Sequence, residues 1–128
     1  MSAYDLVNNI KVVNAINAAA ITDDSSESSA IDTAGFESVT VVAQMAAFTS
    51  GAGKIQILES ETSAGSFTAV ADEDLINVPK KMAEAGAVSK VGYRGHKQFI
   101  KVKIVKDSTI SATVGAVVIL GHPHHKAV

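Results

Sequence analysis

The chain has no cysteine, no tryptophan and only two prolines among its 128 residues. Without thiols there is no disulfide, no thiolate nucleophile and no sulfur-ligated metal, a composition suited to a reducing cytoplasm. Aromatics are scarce too, with four Phe and two Tyr. That is poor material for the stacked platforms that hold single-stranded nucleic acid or sugar rings. The most apolar run, "ATVGAVVIL" from Ala112 to Leu120, falls short of the roughly 20 residues of a membrane helix. The opening "MSAYDLVNNIK" has neither a basic nor an apolar leader region, so no secretory signal is expected. What is left is a soluble single domain, long enough to fold on its own core without staples.

Apolar residues are plentiful, and most recur at every second position. In "KQFIKVKIVKD", Ile100, Val102 and Ile104 alternate with Lys101 and Lys103, the period of a strand with one wet face. "KIQILES" repeats the pattern with Ile55 and Ile57, and "ESVTVVAQMAAF" is rich in Val and Thr, as strands are. "STISATVGAVVILG", from Ser108 to Gly121, is more continuously apolar, which predicts the middle of a sheet. Gly115 within it marks a bulge or bend.

"TSGAGK", "SETSAGS" and "KDSTIS" read as short connections between strands. "TDDSSESSAIDTAG", Thr22 to Gly35, reads as a long exposed polar loop. "VPKKMAEAGAVSKVG" has room for a helical turn over Lys80 to Ala85 but not for a long helix. The first twenty residues suit an extended segment better than a helix, given their β-branched residues and asparagines. The expected fold is all-β: an antiparallel sandwich or jelly roll of six to eight short strands with extended termini.

Charge is unevenly distributed. Residues 1–78 hold eleven acids and two bases, a balance of −9, while residues 79–128 hold two acids and nine bases, a balance of +7. Interleaving strands from the two parts would mix these charges on one surface, and that is the expectation. A basic binding face, or head-to-tail contact between copies, is the alternative.

No chemical motif is completed. "GAGK", Gly51 to Lys54, lacks the spacing of a phosphate loop and is followed by Ile55 in place of Ser or Thr. "DED", Asp72 to Asp74, lacks the alternation and glycine of a calcium loop. Three of the four histidines crowd the end, "GHPHHKAV". On an extended chain His122 and His124 share a side, with His125 or His96 available as a third metal ligand. No nearby acid orients them, and no nucleophile stands beside them. We therefore expect no metal, no cofactor and no catalytic residue. The end reads as a docking tail, residues 121–128. In "VGYRGHKQ", Tyr93 is expected to pack at the sandwich edge, with Arg94 on the surface or in a contact.

The chain as a whole resembles a family. "AIDTAGFESVTVVAQMA", "IQILESETSAGSFTAVADEDLI", "VGYRGHKQFIKVKI" and "GAVVILGHPHHKAV" follow the order seen in capsid cement, or decoration, proteins of tailed bacteriophages. The matching positions are Asp32, Gly35 and Phe36; Leu58, Glu59 and Ser60; Gly65, Ser66, Phe67 and Val70; Asp74 and Leu75; Gly92, Tyr93, Arg94, Gly95 and Lys97; and Gly121, His122 and Pro123. The histidine-rich ending departs from the pattern.

The resemblance implies a non-enzymatic structural protein, assembled in the host bacterial cytoplasm and held in many copies on the outside of an icosahedral capsid. It would bridge major capsid protein subunits and contact its own copies as dimers or trimers, with no direct contact to nucleic acid or membrane. Interface residues expected on this basis are Ile10, Val12, Tyr93, Arg94, His122, Pro123, His124 and His125. A head–tail connector, tail-tube or tail-terminator subunit is the rival reading. A sugar- or receptor-binding sandwich and an enzyme rank behind.

Overall fold

The alternation read from the sequence builds strands, two of them far longer than expected. A computed structural model of the protein describes residues 7–22, 27–77 and 79–123. Its strands are β1 (Ile10–Ile21), β2 (Ile31–Asp32), β3 (Phe36–Ser60), β4 (Thr68–Ala69), β5 (Leu75–Ile76), β6 (Ala87–Tyr93) and β7 (Phe99–Pro123). Single 3-10 turns lie at Val7–Asn9 and Asp72–Asp74. All strand pairs are antiparallel, in the order β1-β7-β3-β6-β5, with β2 added to β7 and β4 to β3.

β3 and β7, each 25 residues long, pair along their whole length, from Phe36 opposite Pro123 to Ser60 opposite Phe99. This ribbon bends in its middle. β3 takes one extra residue at each of the first two register shifts and β7 takes two at the third. Pairing beyond the corner thus returns to the register it had before. Bulges of this kind bend a strand and raise its twist. Gly51, with φ +81°, sits at the corner, where an added Cβ would lie 2.2 Å from the carbonyl oxygen of Thr109. Only glycine fits that position.

β7 keeps its even-numbered side chains inside on both sides of the bend. Ile100, Val102 and Ile104 are buried before it, and Val114, Ala116, Val118 and Leu120 after it. The same sheet face is therefore covered in both arms of the ribbon, which requires the arms to close on each other. Val39, Val41, Ala43 and Met45 of one arm and Ile55 and Ile57 of the other join them in one core cluster. The result is a curled sheet forming two layers. The wide layer is β1, the last half of β7, the first half of β3, β6 and β5. The narrow layer is β2, the first half of β7, the last half of β3 and β4.

Several sequence expectations are corrected here. "TSGAGK" and "KDSTIS" are not connections; both lie inside strands, at the corner of the ribbon. Lys80 to Ala85 holds no helix: Met82 is buried and its backbone exchanges two hydrogen bonds with Gly53, at 2.7 and 3.1 Å. Within Thr22 to Gly35, the described residues from Glu27 onward are not an exposed loop. The Ser28 amide donates to the Val102 carbonyl at 2.8 Å, and its hydroxyl accepts from the Val102 amide at 2.9 Å. Ile31 pairs with Ile100, and Ser28, Ile31 and Thr33 are buried.

The other end differs from expectation as well. Gly121 to Pro123 is no tail, because it completes β7 between β1 and β3. His124 to Val128 lie outside the described residues, as do Met1 to Leu6. Residues 10–21 are extended as expected, and they form a paired strand of the wide layer. The irregularity foreseen at Gly115 lies in its partner: β1 is bulged between Ile16 and Ala19, and Ala18 presses against the bare Gly115 backbone.

Candidate docking surface

The inward positions of the wide layer fill the core, so its outward positions form a surface. Register places them in rows across the strands. One row runs Val12, Ile119, Thr40, Gly92, Ile76 over all five strands. The next runs Asn14, Val117, Val42, Lys90; the row Ile10, Gly121, Ser38 lies beyond the first of these, and the row Gly115, Gln44, Val88 beyond the second. Lys90 is the one charge in these rows. Val12, Ile76 and Val88 are 56%, 50% and 64% exposed. An apolar sheet face left bare in this way marks an interaction surface.

Composition alone held a signal for this surface. The runs Val39–Ala43 and Ala116–Leu120 are apolar at inward and outward positions alike, the pattern of strands covered on both faces. The chain covers only one. Val42, Val117 and Ile119 were missed as candidates because continuous runs were assigned wholly to burial, and Val88 because its stretch was read as a connection between strands.

At the β5 and β6 end the face dips into a groove of about 350 Å³, lined by Ile76, Asn77, Lys90, Arg94, Glu37 and Thr40 among others. Asn77 sits at φ 64°, a left-handed conformation that asparagine tolerates better than most residues. The Arg94 amide donates to the Asp74 carbonyl at 2.9 Å, and its Nε reaches the Glu73 carbonyl at 3.4 Å. Its exposed side chain borders the groove. The acidic turn Asp72–Asp74 thus shapes the corner on which Arg94 stands.

Tyr93 has an internal task. It is 5% exposed, its hydroxyl donates to Glu59 Oε1 at 2.6 Å, and it accepts from the Lys97 amide at 3.1 Å. β6 belongs to the wide layer and this part of β3 to the narrow one, so the bond clasps the open end of the sandwich. Burial first, and then the hydrogen bond to Glu59, push the phenol well above its ordinary pKa. Tyr93 is therefore a neutral donor at physiological pH.

The outer face of the narrow layer is different in kind. Its rows carry Lys101 with Leu58, Glu27 with Lys103 and Gln56, and Lys54 with Val105. Lys101 Nζ lies 3.9 Å from Glu27 and 4.6 Å from the centroid of the Phe67 ring. Lys97 pairs with Glu61 at 2.9 Å, which raises its pKa. Both pairs join the acidic part of the chain to the basic part, as interleaving strands require. A third pair, Lys81 with Asp107 at 2.6 Å, lowers the Asp107 pKa. Asp32 is held below its usual value by the Ala34 amide and by Gln98 Nε2, with a smaller contribution from Lys11.

Of the expected interface residues, the structure brings Ile10, Val12 and Arg94 to the wide layer's outer side or its rim. Tyr93 it buries, and His122 and Pro123 end β7, while His124 and His125 fall outside the described residues. His96 is exposed, and no group of three or more His, Asp or Glu gathers among the described residues.

No family model matches the chain, and no curated protein sequence matches it. Solved structures with the same fold do exist. One is the SPBc2 prophage-derived protein YomS, with a TM-score of 0.51 and 15% identity over 90% of this chain and 96% of that one. Another is the Clostridium thermocellum xylanase 10B fragment of CBM22-1 and GH10 modules, crystallised with xylohexaose. It gives a TM-score of 0.53 and 13% identity over 94% of this chain but only 28% of that one. At such identities the likeness is one of fold. The chain matches a prophage-derived protein from end to end, and a fraction of a longer enzyme.

Proposed function

We propose that this protein is a non-enzymatic component of a tailed-phage particle, a decoration protein that binds the outer surface of the capsid and bridges neighbouring major capsid subunits. The observation that carries this reading is the bare apolar face of the wide layer, built on a core that is already closed. Such a slab gains by covering that face on a partner. Rigid side chains on paired strands lose little freedom when they dock. Repetition over a shell multiplies a modest contact, since each neighbour is held in place already. The fold shared with a prophage-derived protein supports a phage setting, and the order of motifs named above supports decoration within it.

Purified particles lacking the protein provide the test. Added protein is expected to bind in hundreds of copies and to raise the temperature at which the particles release DNA. Binding of about a dozen copies at one vertex points to a connector ring instead, and no binding overturns both readings.

A further inference from the structure

The single charge in the rows of the wide layer, Lys90, stands where the face is hollowed. Lys90, Gly92 and Arg94 follow one another at every second position, so they fall on the same side of the sheet. The middle one has no side chain, and Ile76 stands close beside it: a Cβ on Gly92 would lie 3.1 Å from the Cβ of Ile76. The gap left at Gly92 is the floor of the groove, between two cations. Neither belongs to an ion pair among the described residues, where the pairs are Lys81 with Asp107, Lys97 with Glu61 and Lys101 with Glu27. The Nε contact of Arg94 with the Glu73 carbonyl holds one edge of the guanidinium and leaves its terminal amino groups for another acceptor. Water solvates both cations in the free protein. Under an apolar contact Lys90 loses that water, and a covered charge with no counter-charge is expensive. Docking of this face therefore demands an anion opposite Lys90.

We propose that the groove between Lys90 and Arg94 receives a carboxylate side chain, Asp or Glu, from the protein that covers the wide layer, with apolar residues on either side of that acid. The inference rests on the docking role proposed above and names the chemistry of the partner. Arginine grips a carboxylate through two parallel N–H bonds, and lysine adds a point charge. Ile76 beside Gly92 and Val88 beyond Lys90 are both exposed, and they meet the apolar neighbours of the acid. Local acids choose between anions. Glu37 lines the same groove and has an interaction of its own, and Asp72, Glu73 and Asp74 form the turn on which Arg94 stands. A nucleic-acid backbone, charged at every step, runs into these acids, whereas one carboxylate seated between the two cations does not.

Free protein and particles test the proposal separately. The peptide acetyl-Val-Glu-Val-amide, titrated into isotope-labelled protein, is expected to move the Lys90 and Gly92 amide resonances and the Arg94 side-chain resonance, saturating in the millimolar range. The same peptide with Gln in place of Glu is expected to bind at least tenfold more weakly. Lys90→Gln combined with Arg94→Gln is expected to remove the response; both residues are exposed, and circular dichroism checks that the fold is kept. Equal response to the two peptides overturns the proposal, as does no response, or one centred on Lys101 and Lys103. Tighter binding of inorganic phosphate, or of a thymidine oligonucleotide, than of the Glu peptide overturns it as well. On particles, Lys90→Glu is expected to weaken binding at least tenfold and Lys90→Gln less, and unchanged binding by Lys90→Glu overturns the proposal while leaving decoration in place. Particles that take up no wild-type protein end the decoration reading alone, and the peptide titration then decides this one.

Discussion

The two outer faces of this sandwich come from the same pair of strands, yet they differ in chemistry. On the narrow layer, outward positions of β7 are Lys101, Lys103 and Val105, and those of β3 are Lys54, Gln56 and Leu58. On the wide layer, the outward positions of the same strands are Val117, Ile119, Thr40 and Val42. Inward positions are apolar in both arms. Core formation therefore explains the inner faces and says nothing about the outer ones. A lysine face suits water, since ammonium groups there remain solvated. A valine and isoleucine face gives up that benefit, and this difference is what the proposed docking of the wide layer rests on.

The sharpest way to break the comparison is to remove what both faces share, the corner. Gly51→Ala places a methyl group against the Thr109 carbonyl at a positive φ, and is expected to lower stability by about 3 kcal/mol, read by urea denaturation. Next in size is a charge on the apolar face. Val88→Asp is expected to weaken particle binding at least tenfold with little change in melting temperature, because the residue is largely exposed. Equal binding by that variant removes the wide layer from the interface.

The clasp between layers comes third. Tyr93→Phe is expected to cost about 1–2 kcal/mol by stripping a donor from Glu59. The pH dependence follows from the raised phenol: its contribution is complete below the unfolded value of about 10 and fades as pH climbs past it. Alkaline titration of stability above that point is therefore expected to be shallower in Tyr93→Phe than in the wild type. On the lysine face, Lys103→Glu is expected to change particle binding less than about twofold, which sharpens the contrast with Val88→Asp. Smallest of all, Lys97→Ala removes an exposed ion pair and is expected to leave the urea midpoint almost unchanged.

Strand content was legible because a period of two leaves a local record, as in Ile100, Val102 and Ile104. Strand length was not. Gly51 and the Asp107–Ser108 stretch use the residues a hairpin would use, since a tight turn and a bulged corner make the same local demand for small or polar residues. Only pairing between Phe36 and Pro123 at one end, and Ser60 and Phe99 at the other, tells them apart, and that information is non-local. Ser28 and Thr33 were hidden for a related reason. Their hydroxyls suit a solvated loop equally well until Val102 and Gln98 supply partners. On the outer side of the wide layer or its rim lie Ile10, Val12 and Arg94, named from the sequence, while Val42, Val117 and Ile119 passed for core and Val88 for part of a connection.

The long ribbon also sets a timetable. Its first strand begins at Phe36, and the mate of that residue is Pro123, 87 positions later in the chain. During translation β3 must wait, with its valines uncovered, until β7 has followed it out of the ribosome. Chains whose contacts span such sequence distances fold slowly. For this protein the burden falls on the cell that makes it, whose chaperones meet an unpaired strand until β7 emerges.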